Sequence, residues 1–131
     1  MVDYDLIVIG AGSAGLRIAD FMNRAKFKVL LIECCERAIG GNFLNSGAVP
    51  CAALMQAASV VHDAKKAQCF GLRLRNSTEV SMQEVRAYIQ ERQDVRRAYM
   101  NSDYLRQHGI DVVLGNAEFV GRHSVAVNGI I

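Results

Sequence analysis

The sequence predicts an α/β fold in which helices cover a parallel sheet, and three observations predict it. A branched apolar run, Asp5 to Ile9, ends at a glycine. A helical pattern from Ser13 to about Ala25 opens straight from the glycine-rich turn that follows, with Leu16, Ile18, Ala19, Met22 and Ala25 at helical spacing. A second apolar run, Phe27 to Ile32, stops at the acid Glu33. Runs of this kind read as strands buried on both faces, and two of them joined by a helix within about 30 residues make a β-α-β unit.

The elements beyond Glu33 are read from weaker signals. Gly40 and Gly41 break the chain, and Asn42 to Lys66 is helical in composition, with Pro50 placed to start a helix over about Val49 to Ala64. Phe70 to Thr78 is polar and turn-like. Ser81 and Glu84 then form an S-x-x-E capping box that opens a long helix. Its apolar residues Val85, Tyr88, Val95, Tyr99 and Leu105 recur at helical spacing, and Gly109 stops it. Arg86, Arg96, Arg97 and Arg106 read as its solvated face. Val112 to Leu114, Ala117 to Val120 and Ser124 to Val127 are short strands separated by Gly115, Gly121 and Asn128-Gly129, a third sheet strand followed by a small meander.

Composition narrows the function classes. The 131 residues suit one domain, 51% hydrophobic with 21% charged residues, which is enough apolar material for a core. A net charge of +2 is too mild for a nucleic-acid footprint, so no nucleic-acid partner is expected. The longest apolar run near the N-terminus is Leu6 to Ile9, and Asp3 and Asp5 stand where a signal peptide carries positive charge; no membrane partner is expected. Cys34, Cys35, Cys51 and Cys69 have no C-x-x-C spacing, and His62, His108 and His123 are scattered, so no metal site is written and the thiols read as those of a cytoplasmic protein.

Gly10-Ala11-Gly12-Ser13-Ala14-Gly15 is G-x-G-x-x-G between a strand and a helix. In a Rossmann-like unit the first glycine permits the tight turn, the second leaves room for a pyrophosphate, and the third lets helix and sheet pack closely. Helix N–H groups then face the anion. Glu33 lies 18 residues beyond Gly15, where a carboxylate accepts hydrogen bonds from a ribose diol and repels a 2′-phosphate. The expected ligand is a small-molecule dinucleotide, FAD or NAD rather than NADP, held by Gly10, Gly12, Ser13, Ala14, Gly15 and Glu33.

The stretch from Gly40 through Gly41, Asn42, Phe43, Asn45, Gly47, Ala48, Pro50 and Cys51 to Leu54, together with the N-terminal unit, resembles the FAD-dependent pyridine nucleotide-disulfide oxidoreductases. This is the family of dihydrolipoamide dehydrogenase, glutathione reductase and mercuric reductase. The resemblance implies that residues 1–131 are the N-terminal part of an FAD-binding domain, with Gly40, Gly41 and Asn42 added to the cofactor-binding set. It implies a pair of cysteines, with four residues between them, after the Gly-Gly loop; those positions hold Phe43 and Ala48. The Ser-Lys that the family places after the proline is Cys51-Ala52 here. No catalytic residue is therefore assigned, and Cys51 is expected to be a buried packing cysteine, with a redox role second. Phe43 is read first as filling a gap and second as a ring stacked near the flavin.

The resemblance also predicts a further strand returning to the sheet just where the chain stops at Ile131. The domain is therefore expected to be incomplete at its C-terminal end, to bind FAD weakly or not at all, to meet NAD(P) only through a domain absent here, and to offer a bare sheet edge for self-association. The functional reading is the FAD-binding segment of a pyridine nucleotide-dependent flavin oxidoreductase without the redox disulfide. The alternative is a non-catalytic nucleotide-binding or regulatory module.

Overall fold

A computed structural model describes residues 3–72 and 79–130; positions 73–78 of the expected polar turn lie outside them. β1 (Leu6–Ile9) and β2 (Val29–Glu33) pair in parallel, Leu6 opposite Val29 and Ile9 opposite Ile32. The last sheet strand, β3 (Asp111–Leu114), lies parallel on the other side of β2, giving the order β1-β2-β3. The central strand needs apolar residues on both faces, and Val29 to Ile32 are all buried. Phe27 and Lys28, expected in the strand, lie before it, whereas Glu33 is its final residue. The reason is local: Lys28 N–H donates to Asp5 Oδ2 at 2.7 Å, closing the loop that sets the register.

α1 (Ser13–Arg24) packs on β1 and β2 through Ala19, which is fully buried. Val8, Leu31, Ile39, Leu105, Ile110 and Val112 complete one core around the sheet. The chain then leaves the sheet through α2 (Gly41–Asn45), α3 (Ala48–Lys66) and α4 (Met82–Arg97), and α5 (Ser102–Gln107) brings it back beside β3. Pro50 falls in the first turn of α3, where its missing N–H costs no helical hydrogen bond. Ser81 caps α4 as the box requires, its Oγ accepting from Glu84 N–H at 3.3 Å.

The single long helix expected up to Gly109 is two helices. Asn101 caps a new one, its Oδ1 accepting from Tyr104 N–H at 2.8 Å, and this cap outweighs continuing α4 because the chain must turn Leu105 into the core. Two of the four arginines assigned to a solvated face are structural donors: Arg97 reaches Asn45 Oδ1 at 3.2 Å and Arg106 reaches the Val112 carbonyl at 2.9 Å. Beyond β3 the meander is a two-stranded antiparallel hairpin, β4 (Ala117–Gly121) and β5 (Ser124–Val127). Gly121 is strand, not separator. Asn128 and Gly129 take positive φ, 52° and 81°, the pairing that a tight two-residue turn demands, and Ile130 bridges back to Val127.

Gly41–Phe70 has the length and apolar content of a membrane span, a feature the expectation of no membrane partner did not weigh. It is α2, broken at Ser46 and Gly47, then α3, which tightens into a short 3-10 helix over Ala67–Phe70.

Candidate functional site

The glycine turn does what its three positions require. Gly10 has φ 97°, which a side chain would strain, and it carries the chain from β1 into the turn. Gly12 is extended, and a Cβ built on it meets nothing within 4 Å, so its open side faces free space. A Cβ on Gly15 would overlap the Gly10 carbonyl oxygen; only glycine lets α1 sit this close to β1. No side chain caps α1 and no acid stands in its first turn, so its leading N–H groups, at the exposed Ser13 and Ala14, are left for an external acceptor.

The Gly-Gly loop closes the other side of this turn. Gly40 and Gly41 both have positive φ, 94° and 55°. Gly40 N–H donates to the Ala11 carbonyl at 2.8 Å, and a Cβ on Gly41 would lie 2.8 Å from the Gly12 Cα. Two glycine motifs nearly thirty residues apart thus form one cradle. Asn42 is exposed and spends its Oδ1 on the Ser46 hydroxyl at 3.3 Å.

Glu33 emerges at the end of β2, half-buried beside the cradle. Its Oε2 accepts from Ala11 N–H and its Oε1 from Cys34 N–H, both at 2.7 Å. Burial, the largest influence, pushes its carboxyl up, but the two backbone donors and the Cys34 thiol outweigh it and hold the group below its ordinary value. It is an ionised acceptor with lone pairs left over. A 2′-phosphate brought to the same place meets that charge directly.

Phe43, Ala48 and Ala52, scattered in sequence, line one groove of about 660 Å³ between α3 and α4, opposite Arg92, Arg96 and Tyr99. Phe43 and Tyr99 also line a cleft of about 440 Å³ that contains Ser13 and Gly40, so these two rings join the groove to the cradle. Phe43 is 37% exposed and borders both spaces rather than filling a core gap. Cys51 corrects an expectation: it is exposed, not buried, because α3 buries Ala53 and leaves the Cys51 face uncovered. All four cysteines are free and exposed. His62, His108 and His123 are exposed as well; His108 stacks on Tyr104 with ring centroids 4.0 Å apart. Among the described residues no three His, Cys, Asp or Glu side chains gather where a metal could be held.

Two residues escaped the sequence reading. Ala11 is fully buried and pins both Glu33 and Gly40; only its place between two glycines marked it. Gln93 is buried on α4, donating to the carbonyls of Leu44 at 2.8 Å and Asn45 at 3.1 Å, and so ties α4 to the end of α2.

The fold and the cradle define a Rossmann-like FAD-binding unit. The model of the family described as pyridine nucleotide-disulphide oxidoreductase matches residues 4–130, and the chain belongs to that family. It is 34% identical over 131 residues to a dihydrolipoyl dehydrogenase of Thermus scotoductus, covering 98% of this chain and 27% of that protein. A mercuric reductase of Bacillus cereus is 30% identical, with 97% and 20% covered. Among solved structures, the Cu(II) complex of the HOCl-induced flavoprotein disulfide reductase RclA from Escherichia coli superposes with TM-score 0.67 at 27% identity, over 92% of this chain and 24% of that one. The chain spans about a quarter of the length of these relatives.

Proposed function

We propose that this chain supplies the ADP-holding part of the FAD site in an oxidoreductase that uses a pyridine nucleotide and passes electrons onward without a disulfide beside the Gly-Gly loop. The observation that carries the reading is the groove: Phe43, Ala48 and Ala52, the positions of the family's two cysteines and lysine, share one surface that contains no thiol and no amine. Through Phe43 and Tyr99 that surface meets the cleft holding Ser13 and Gly40.

The chain's own part in the chemistry is binding and orientation. Gly12 makes room for a pyrophosphate, and the bare N-terminus of α1 faces its charge. Glu33 takes the ribose hydroxyls of the adenosine, and Gly40 and Gly41 wall the phosphates on the side away from α1. Asn42 lies on the exposed side of α2. The flavin, when bound, supplies the two-electron redox chemistry. With Ala48 in the thiol position, no residue of this groove accepts electrons from it. FAD held by this segment alone is expected to be lost on dialysis. Free exposed thiols support a reducing cytoplasmic setting, and the unpaired edge of β1 supports self-association.

Titration of the chain with ADP and with its 2′-phosphorylated analogue, followed by amide chemical shifts, tests the assignment. ADP is expected to shift residues 10–15 and 33, and the 2′-phosphate to weaken binding about tenfold or more through charge repulsion at Glu33. No binding of either, or equal binding of both, overturns it. The second reading, a nucleotide-binding module without turnover, is favoured by the loss of the amine at Ala52 as well as both thiols. NADH added to this segment joined to a nicotinamide-binding domain separates the two: bleaching of the flavin supports the oxidoreductase, and an unchanged flavin spectrum supports the module.

A further inference from the structure

Immediately after Glu33, two exposed cysteines follow one another, and their sulfurs lie 3.8 Å apart. This separation suits a bridging atom better than a direct bond. Adjacent Cα atoms are about 3.8 Å apart across a trans peptide, shorter than the roughly 4.4 Å at which ordinary disulfides begin, so joining the two sulfurs strains the backbone. Two thiolates bound at about 2.3 Å to one centre, by contrast, stand about 3.3–3.8 Å apart as the angle between the bonds opens from that of a trigonal pyramid to the tetrahedral one, a span that small rotations of two exposed side chains reach. The Glu33 carboxylate beside Cys34 is held by the Ala11 and Cys34 N–H groups, and among the described residues no three His, Cys, Asp or Glu side chains cluster as metal ligands, which disfavours an ion that demands a full protein shell. Cys35 opens onto a polar cleft of about 760 Å³ with Arg37, Asn45 and Arg97 on its walls, room enough for whatever else the bound centre carries.

We propose that Cys34 and Cys35 form a two-thiol chelating site for a soft, thiophilic centre of the trivalent-arsenic type, placed on the ribose side of the nucleotide cradle. With phenylarsine oxide the step balances without any redox partner: two As–S bonds form, the As–O bond breaks, and the oxygen leaves as water with the two thiol protons. The site is selective for such a ligand over a one-thiol reagent. A centre that makes two bonds gains from the effective concentration of the second thiol, about 10²-fold or more.

The probe is phenylarsine oxide, one equivalent on the reduced full chain, read by intact mass and by counting residual thiols. One adduct is expected, with two of the four thiols lost, resistant to excess mercaptoethanol and removed by a dithiol. Cys34→Ser and Cys35→Ser, at exposed positions, should each weaken retention about 100-fold or more with an unchanged circular dichroism spectrum. The Cys51→Ser/Cys69→Ser double variant should retain the adduct in full. An adduct that survives in Cys34→Ser or Cys35→Ser, or disappears in the double variant, or falls to mercaptoethanol, overturns the proposal. The outcome is independent of whether ADP binds.

Discussion

The β1-α1-β2 unit and the α3-α4 pair are held together by different means. In the first, backbone meets backbone: Gly15 lets α1 approach the Gly10 carbonyl, Gly40 donates to Ala11, and four consecutive β2 residues are buried. In the second, α3 packs along α4 and side chains tie the pair back to α2, Gln93 and Arg97 reaching Leu44 and Asn45, while Leu54, Met55 and Val60 stay exposed along α3, Met55 at 72%. The difference teaches that the nucleotide cradle is fixed by backbone contacts, whereas the groove carrying the family's redox positions is shaped by a packed helix pair that side chains tie to α2.

Three measurements press on that contrast. Gly15→Ala should be the most damaging, because its Cβ overlaps backbone that no rotamer can move aside; a loss of about 3 kcal/mol in urea unfolding is expected. A loss below 1 kcal/mol would mean the turn is more compliant than its geometry. Gln93→Ala should cost less, about 1–3 kcal/mol, by leaving the Leu44 and Asn45 carbonyls buried without donors. Its mark is regional: amide exchange should quicken across α2–α4 while β1 and β2 keep their protection, and uniform loosening would show that the two regions open as one unit.

Glu33 gives the smallest effect and the finest test. Its folded carboxyl titrates below its unfolded value of about 4.3, so its contribution is complete above that pH and is lost as pH falls through the folded value. Glu33→Gln should therefore flatten the fall in stability below about pH 4 and change little at pH 7 beyond a constant offset. An acid limb identical in both proteins would show that its two backbone hydrogen bonds carry no charge-dependent stability.

What the sequence made legible follows the same divide. The strand-turn-helix-strand order could be read because Gly10 answers a conformational demand, with φ 97°, and Gly15 a steric one, while Gly12 leaves the turn open between them. Lys26 could not be, since a lysine at φ 70° after α1 occupies a place where glycine is the usual sign. The break before α5 was written in Asn101 and Asp103, an N-cap and a first-turn acid, but the apolar spacing that runs through Leu105 masked it. The burial of Gln93 was invisible: on α4 it is one polar residue among many, and only the carbonyls at the end of α2 select it. Cys51 misled for a related reason, because its residue type favours interiors while its helix face has no neighbour here. The joining of Phe43, Ala48 and Ala52 on one groove needed the packing of α3 on α4, which no local pattern encodes.

The contact of the Gly-Gly loop with the glycine turn bears on what can be transplanted. A designer who moves residues 5–33 into another sheet carries over a recognisable motif with one wall missing, because the Ala11 carbonyl and the Gly12 backbone then face water instead of Gly40 and Gly41. The smallest portable module runs to Gly47, where Asn42 receives the Gly47 N–H and the one-turn helix is complete. Grafts of the longer piece should keep the shape of the recipient turn, and grafts of the shorter one should not.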